Sequence, residues 1–303
     1  MQTPIINVVD VTKEYGNTTV LSAIDLKLNH GEVVALLGEN GAGKTTLINT
    51  ILGLTAHSKG AVKVFDADAG SKTARQRIGC VLQDTQLPDT LTPIEHLTLF
   101  SSYYPTPLPL EVLIDLLSLE DFAHRRLNQL SGGQKQRLYL ALAMCGDPDI
   151  IFLDEPTVGL DIHSRKQLWN AIKKLQQAGK SIILTTHYLE EAEALAERLV
   201  YLVKGQIQFD GAMSEFKKQF NAKTICAISD LDIHEVDAWD TVTAVTRNQD
   251  RVSIVTHHVE AVLARLFQSN VNLSDLTVSS QTLENIMYQI SQQNSDVVKG
   301  VDQ

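Results

Sequence analysis

The chain has 303 residues, of which 44% are hydrophobic and 20% are charged. This length and composition fit one large globular domain with a smaller appended domain, and they exclude a disordered or fibrous protein. The net charge of -10 disfavours binding along DNA or RNA, which needs clustered lysine and arginine, so we expect no nucleic-acid partner.

The sequence lacks the patterns of membrane-spanning and secreted chains. Its longest apolar runs, at Val33–Leu37, 150–153 and 199–203, are far shorter than the roughly 20 residues of a membrane-spanning helix. The N-terminus has neither the basic start nor the apolar stretch of a signal peptide. We therefore expect a cytoplasmic protein that meets a membrane only through another chain. The three cysteines lack metal-ligand spacing, which predicts reduced, buried thiols.

The first half of the main domain combines two strand patterns. Short β-type runs at 5–11, 18–21 and 24–28 alternate with turn residues and predict an N-terminal antiparallel β subdomain. From Glu32 onward, apolar runs are each followed by a helical pattern, which is typical of parallel strands buried on both faces. Because the carboxyl ends of such strands meet at one sheet edge, we predict a shared site after three of them. They are Val33–Leu37 before Gly38, 150–153 before Asp154 and Glu155, and Ser181–Thr186 before His187.

A helical region interrupts the strand pattern. Strand signals disappear between residues 84 and 129, where amphipathic segments occur at Pro93–Ser101 and Leu110–Leu117. The pattern predicts an inserted helical subdomain over about 84–145.

The C-terminal third differs from the rest. Residues 216–291 carry two helical patterns and short strands, notably 240–245 and Arg251–Thr256, without a catalytic signature. They predict a small α+β accessory domain after a main α/β domain at 1–215, and the polar residues 292–303 predict a flexible tail.

Residues 38–45 match the phosphate-loop pattern G-x-x-x-x-G-K-[ST]. In this pattern the glycines let backbone N–H groups curl around phosphates, Lys44 reaches the terminal phosphates and Thr45 ligates Mg²⁺. The helix that begins near Lys44 adds its positive N-terminal end. Chance matches occur on the order of once per hundred chains of this size. The expected ligands are ATP and Mg²⁺.

An acidic pair follows the run at 150–153. Asp154, at a strand end, can hold the water shell of Mg²⁺ opposite Thr45, and Glu155 can orient and deprotonate an attacking water. An isolated Asp-Glu-Pro would more simply terminate a strand. Together with the phosphate loop, the pair favours catalysis.

The pentapeptide Leu130-Ser-Gly-Gly-Gln134 resembles the signature motif of ABC-type ATPases. Ser131 and Gln134 also have the spacing of a helix capping box, and the two interpretations are compatible. The resemblance extends over residues 5 to about 215.

Four further positions match the ABC pattern. Tyr15 resembles the aromatic residue that stacks on adenine, and Gln83 the loop glutamine that contacts Mg²⁺ and relays nucleotide state to the membrane partner. Asp161 resembles the residue that joins two ATPases, and it would equally cap the helix from Ile162. His187 resembles the switch histidine that senses the γ-phosphate. Alone, Tyr15 would carry no information, and Gln83 would be a solvated loop residue.

The resemblance implies a P-loop NTPase fold and a set of site residues. The implied catalytic residues are Glu155, His187 and Gln83, and the implied metal ligands are Thr45, Gln83 and Asp154. The implied nucleotide contacts are Tyr15, Gly38, Glu39, Asn40, Gly41, Ala42, Gly43, Lys44, Thr45, Thr46, Ser131, Gly132, Gly133, Gln134 and Asp161.

The resemblance also implies partners. In this family each ATP lies between the phosphate loop of one subunit and the signature motif of another, so two chains pair head to tail, here as an expected homodimer. Closure of the dimer drives integral membrane permease subunits, which hold the ATPase at the inner face of the cell membrane.

Residues 155–161 and 282–286 look like the exporter branch that includes drug- and antibiotic-resistance ATPases, although Asn285, Ile286 and Met287 depart from its more acidic version. Three alternatives remain. One is a soluble ABC ATPase that acts on ribosomes or DNA, another is an importer ATPase, and the third is a regulatory module without turnover.

Overall fold

A computed structural model describes residues 3–280 except 84, 221 and 270. Among these residues, no helix has the length and apolar character that crossing a membrane would need. The strands are β1 (Ile6–Tyr15), β2 (Thr18–Leu28), β3 (Val33–Leu37), β4 (Lys59–Val64), β5 (Ala67–Asp68), β6 (Ile78–Val81), β7 (Ile150–Asp154), β8 (Ser181–Thr186), β9 (Arg198–Val203), β10 (Gln206–Ala212), β11 (Lys223–Ile228), β12 (Ala244–Asn248), β13 (Arg251–Thr256) and β14 (Ser274–Ser280).

The helices follow the same chain order. They are α1 (Lys44–Ile51), α2 (Lys72–Arg75), α3 (Pro93–Ser101), α4 (Leu110–Leu117), α5 (Gly132–Met144), α6 (Ile162–Gln177), α7 (Leu189–Leu195), α8 (Met213–Phe220), α9 (Ile233–Asp237) and α10 (Val259–Gln268). Two short 3₁₀ turns lie at Glu120–Phe122 and Leu127–Gln129.

The N-terminal strands form an antiparallel sheet in the order β2-β1-β4-β5, which confirms the predicted N-terminal β subdomain. The predicted runs 18–21 and 24–28 are one strand and not two. Ala23 has a φ of 50° inside this strand, so the chain bends there without leaving the sheet. A local irregularity of this kind looks like a turn in the sequence.

The central sheet has the order β10-β9-β3-β8-β7-β6, and β9, β3, β8, β7 and β6 run parallel, as predicted. All residues of β3, β7 and β8 are buried. In the register of the sheet, Leu37 pairs with Thr186, and Asp154 pairs with Thr185. The carboxyl ends of the three strands therefore meet at one edge, which confirms the prediction.

One apolar core holds the phosphate-loop helix in place. Its buried side chains come from β1 and β2, from α1, and from the central strands, and they include Leu21, Leu47, Ile48, Phe152 and Val200. Because α1 is anchored on its apolar side, the loop that precedes it has a fixed position at the end of β3.

The segment predicted as a helical insertion contains α3 and α4 at the expected bounds, followed by α5. Helix α5 packs against α3, α4 and α6. Cys80 contradicts the prediction of buried thiols, since it is exposed, while Cys145 is buried and Cys226 is half-buried. The reason is that β6 is the last strand of the sheet, and its alternate residues face outward. All three cysteines are free.

The chain divides into two compact units, with the division between Met213 and Ser214. In the second unit the strands form an antiparallel sheet in the order β12-β13-β11-β14, and its core includes Trp239. The strand predicted at 240–245 is wrong, because β12 begins only at Ala244. The N–H of Val242 donates to the carbonyl of Trp239 and closes a turn before the strand. The motif at 282–286 and the tail at 292–303 lie outside the described residues.

Candidate active site

The loop between β3 and α1 has a backbone that only glycine accommodates at two positions. Gly43 has a φ of 107°, and a Cβ atom there would lie 2.9 Å from Leu21 Cδ2. A Cβ atom on Gly38 would lie 2.5 Å from the carbonyl oxygen of Leu202. The loop therefore packs closely against β2 and β9.

Lys44 is the first residue of α1, and it is 5% exposed. Its Nζ atom donates to the carbonyl oxygens of Gly38, at 2.7 Å, and Glu39, at 3.1 Å. The same atom lies 3.5 Å from Glu155 Oε1. These contacts hold a buried positive charge between the loop and the end of β7.

Asp154 is 3% exposed and lies beside two hydroxyl groups. Thr45 Oγ1 donates to Asp154 Oδ2 at 3.1 Å, and Thr185 Oγ1 donates to Asp154 Oδ1 at 2.5 Å. The hydroxyl of Thr45 and the carboxylate are oxygen ligands of the type that Mg²⁺ prefers. Among residues 3–280, apart from the three omitted, no cluster of three or more His, Cys, Asp or Glu side chains could hold a metal.

Glu155 follows Asp154 with a φ of 51°, a conformation that non-glycine residues rarely adopt. Its N–H donates to Thr185 Oγ1 at 2.8 Å, and its Oε2 atom lies 2.9 Å from His187 Nδ1. The carboxylate is about 10% exposed, and the imidazole about one third. The His187 ring also lies 4.0 Å, between centroids, from the ring of Tyr188. One carboxylate thus contacts both a lysine and a histidine.

These groups open onto a cavity of about 620 Å³, which is within the usual range for small-molecule sites. Its lining residues are Val20, Glu39, Asn40, Gly41, Gly43, Lys44, Thr45, Thr46, Gln83, Glu155, Val158 and His187.

Several residues of the expected site do not line this cavity. Gly38, Ala42 and Asp154 are not among its lining residues, although Asp154 accepts a hydrogen bond from Thr45, which does line it. Tyr15 is half exposed at the end of β1, with Lys13 Nζ 4.4 Å above its ring. The signature residues 131–134 also lie outside the lining.

The signature residues form the start of α5. Ser131 Oγ accepts the N–H of Gln134 at 3.3 Å, and Gln134 Oε1 accepts the N–H of Ser131 at 2.9 Å, which confirms the predicted capping box. A Cβ atom on Gly133 would lie 2.5 Å from Ser164 Cβ, so this glycine allows α5 to approach α6. Ser131 itself is exposed.

Asp161 caps α6. Its carboxylate accepts the N–H of Ser164 at 2.8 Å and the hydroxyl of Ser164 at 2.9 Å. The bond from the backbone N–H of Ser164 lowers the pKa of Asp161 below its usual value. The predicted N-cap is therefore confirmed. The expected contact of Asp161 with a second chain stays a prediction.

Thr185 is the residue that the sequence analysis missed. It contacts both members of the acidic pair, and it is fully buried. Its only signal in the sequence is its position near the end of a buried strand. The contact depends on the pairing of Thr185 with Asp154 between β8 and β7, which the sequence does not give.

A parallel sheet with a phosphate-type loop after one strand and an acidic pair after the next strand but one defines a P-loop nucleotide-binding protein. The sequence profile of the family described as ABC transporter matches residues 21–158. The chain is 37% identical over 236 residues to Nod factor export ATP-binding protein I of Rhizobium etli, which covers 76% of this chain and 75% of that protein. The protein of the same name from Rhizobium meliloti is 40% identical over 210 residues, or 67% of this chain and 63% of that protein.

Solved structures agree with these relatives. A structure described as the ATP-binding subunit of an ABC transporter has a TM-score of 0.64 and 29% identity, covering 71% of this chain and 93% of the other. A dimeric ATP-binding cassette in a post-hydrolysis state, bound to ADP and Pi, has a TM-score of 0.61 and 30% identity, covering 69% and 98%. The chain belongs to the ABC transporter family. It is the ATP-binding subunit of a transporter, and such subunits are the ATPases that drive transport.

Proposed function

We propose that this chain is one half of a homodimeric motor that hydrolyses ATP in the 620 Å³ cavity and drives export through separate membrane subunits. The observation that carries the proposal is the set of direct contacts joining Lys44, Glu155 and His187 on one wall of this cavity. They unite a phosphate-binding cation, a general base and a polar partner for that base. The same arrangement argues against a regulatory module without turnover.

Lys44 and the loop bind the phosphates. The Nζ atom has three donors, and two of them are used by the carbonyls of Gly38 and Glu39. The charged group also lies 3.5 Å from Glu155 Oε1, on the wall of the cavity. The backbone N–H groups of residues 39–43 and the N-terminus of α1 add a second, fixed source of positive potential.

Thr45, Asp154 and Gln83 are the residues that would hold Mg²⁺. Thr45 Oγ1 and Asp154 Oδ2 converge at 3.1 Å, and Gln83 lines the cavity after β6. When bound, the metal neutralises charge on the β- and γ-phosphates. Asp154 contributes a carboxylate that remains fixed because burial and two hydroxyl contacts restrict it.

Glu155 accepts a proton from the attacking water, and His187 orients the carboxylate. Because His187 Nδ1 contacts Oε2 while Lys44 Nζ contacts Oε1, the two carboxylate oxygens have different partners. A positioned general base of this kind typically accelerates a reaction by about 10²–10⁴-fold. His187 remains one-third exposed, which leaves its edge accessible to a terminal phosphate.

The dimer completes the site. Ser131, Gly132, Gly133, Gln134 and Asp161 lie outside the cavity that contains their chain's own Lys44, and Ser131 and Asp161 are exposed. Helix α5 begins at these glycines with its positive end, which is suited to a γ-phosphate. We assign this surface to the ATP of a second copy. Tyr15, which is half exposed, stacks on the adenine.

The direction of transport is proposed from the relatives. Both relatives described above are export ATP-binding proteins, and the exporter-like sequence at 155–161 supports the same direction. The export assignment includes permease subunits that contact the Gln83 region and hold the motor at the inner face of the membrane. Import by a related arrangement would place the same ATPase beside a different permease, so the co-purifying membrane protein distinguishes the two.

ATP turnover by the purified chain tests the proposal. Glu155→Gln should lower kcat by about 10²–10⁴-fold because the general base is lost, while ATP still binds. Light scattering should then detect ATP-dependent dimers of this variant. Glu111→Gln, an exposed change on α4, is the matched control and should behave like wild type. Wild-type turnover in Glu155→Gln would refute the assigned role of Glu155.

A further inference from the structure

We propose that Thr185 is a positioning residue that sets the metal-binding carboxylate of Asp154 and the catalytic carboxylate of Glu155 with a single hydroxyl group. This inference rests on the proposed function, because it assigns Thr185 to the same hydrolytic site.

The hydrogen bonds of Thr185 have a defined direction. A carboxylate oxygen can only accept, so the one hydroxyl proton of Thr185 goes to Asp154 Oδ1 at 2.5 Å. The oxygen lone pairs remain, and one of them accepts the N–H of Glu155 at 2.8 Å. Thr185 is fully buried, so water does not replace either bond.

The first bond decides which Asp154 oxygen faces the metal site. With Oδ1 held by Thr185, Oδ2 is directed to Thr45 Oγ1 at 3.1 Å. Groups that hydrogen-bond a metal-binding carboxylate fix its rotation and raise the affinity of the site. Thr185 therefore supports metal binding without contacting the metal.

The second bond decides where the Glu155 side chain projects. A φ of 51° is disfavoured for glutamate, so other contacts must hold this conformation. The Thr185 hydroxyl satisfies the N–H of this residue in that conformation. The carboxylate then reaches both His187 and Lys44.

The adjacent threonine has a separate task. Thr186 Oγ1 accepts the N–H of Tyr188 at 2.9 Å and shapes the turn that carries His187. Thr186 also hydrogen-bonds the carboxylate of Glu191, so its hydroxyl group serves the histidine turn and α7, whereas that of Thr185 serves the acidic pair.

Substitutions at Thr185 separate positioning from simple packing. Thr185→Val keeps the shape and removes the hydroxyl, whereas Thr185→Ser keeps the hydroxyl and removes a methyl group. Thr50→Val is the matched control, because Thr50 is also buried but donates only to the carbonyl of Thr46 within α1. Each protein is measured for Mn²⁺ affinity by electron paramagnetic resonance at fixed ADP, for ADP affinity without metal, and for ATP turnover.

Thr185→Val should weaken Mn²⁺ binding by about 10–100-fold, the usual effect of losing a partner of a metal ligand. Its kcat should fall, while ADP affinity without metal stays at the wild-type value. Thr185→Ser and Thr50→Val should bind Mn²⁺ like wild type. Wild-type Mn²⁺ affinity and kcat in Thr185→Val would overturn the inference, as would equal losses in the valine and serine variants.

Folding is checked by circular dichroism. If Thr185→Val does not fold, Thr185→Ala replaces it, because alanine also lacks the hydroxyl and places no second methyl group against the Asp154 carboxylate, and the same selective loss is expected. Failure of both variants to fold would contradict a specific positioning role. A wild-type protein that binds neither Mn²⁺ with ADP nor hydrolyses ATP would instead refute the proposed function.

Discussion

At the scale of single residues, the site is organised around the Glu155 carboxylate. Lys44, Thr185 and His187 each contact this residue, and each approaches a different atom. The three contacts come from α1, from β8 and from the turn after β8, so the end of the central sheet fixes them together. If Glu155 is the general base, as proposed, small displacements here cost large factors in rate, because a base must stay within hydrogen-bonding distance of the water it activates.

Lys44→Ala tests phosphate binding at this scale. The variant should weaken ATP binding by about 10–100-fold, because a charge-assisted hydrogen bond to a phosphate is lost. Isothermal titration calorimetry measures the change. Lys63→Ala is the control, since Lys63 forms an exposed ion pair with Asp68 on another part of the unit. Unchanged ATP affinity in Lys44→Ala would contradict the phosphate-loop assignment.

At the scale of elements, the start of α5 has two roles that can be separated. Ser131 caps the helix, and we assign the same residue to the ATP of a second chain. Ser131→Ala should lower the stability of the first unit by about 1 kcal/mol because the cap is lost. Ser131→Asp should retain the stability, since aspartate caps equally well and favours a helix N-terminus.

The order of the two Ser131 variants in activity should be the reverse of their order in stability. The aspartate introduces a negative charge towards the expected γ-phosphate, so turnover should be lower in Ser131→Asp than in Ser131→Ala. Urea unfolding and an ATPase assay on the same preparations provide both measurements. An active Ser131→Asp protein would show that the start of α5 does not face a phosphate.

Helix α7 carries a buried carboxylate that should make stability depend on pH. Glu191 is 1% exposed and accepts the indole N–H of Trp169 at 3.0 Å, which joins α7 to α6. Burial raises the pKa of Glu191, so its charged form opposes folding. The stabilising effect of its protonated form is present below the unfolded pKa of about 4.3 and is lost as the pH rises through the folded pKa.

Glu191→Gln keeps an oxygen acceptor for Trp169 and removes the charge. Its Tm should exceed that of wild type at pH 8, by about 2–4 °C for each kcal/mol of relieved desolvation. The difference should shrink towards pH 4, where wild-type Glu191 is protonated. Melting curves between pH 4 and 8 measure it, and a variant with a lower Tm than wild type at pH 8 would count against this account.

At the scale of the whole molecule, local sequence patterns predict where each helix and strand lies in the chain. They predict less well which of these elements are in contact. The bounds of β3 and β8 follow from an apolar run beside polar residues, and the start of α6 follows from its helix cap. Such signals are contained in one segment of the chain. The exposure of Cys80 and the contacts of Thr185 depend on which strands are neighbours, and this is decided by tertiary packing. The shift of β12 follows from the turn closed at Trp239.

We propose that each hydrolytic site is assembled from two chains, and this proposal concerns the whole molecule. A lesion in the phosphate loop and a lesion in the signature motif should therefore complement each other. In a mixed dimer of Lys44→Ala and Ser131→Asp chains, one site carries both lesions, and the other combines an intact Lys44 with an intact Ser131.

The most direct measurement is the ATPase activity of these two variants, alone and mixed, with different affinity tags to prove that mixed dimers form. We expect each variant alone to be nearly inactive and the mixture to regain activity in proportion to the mixed dimer. Mixed dimers that form without any gain in activity would contradict a site shared between two chains.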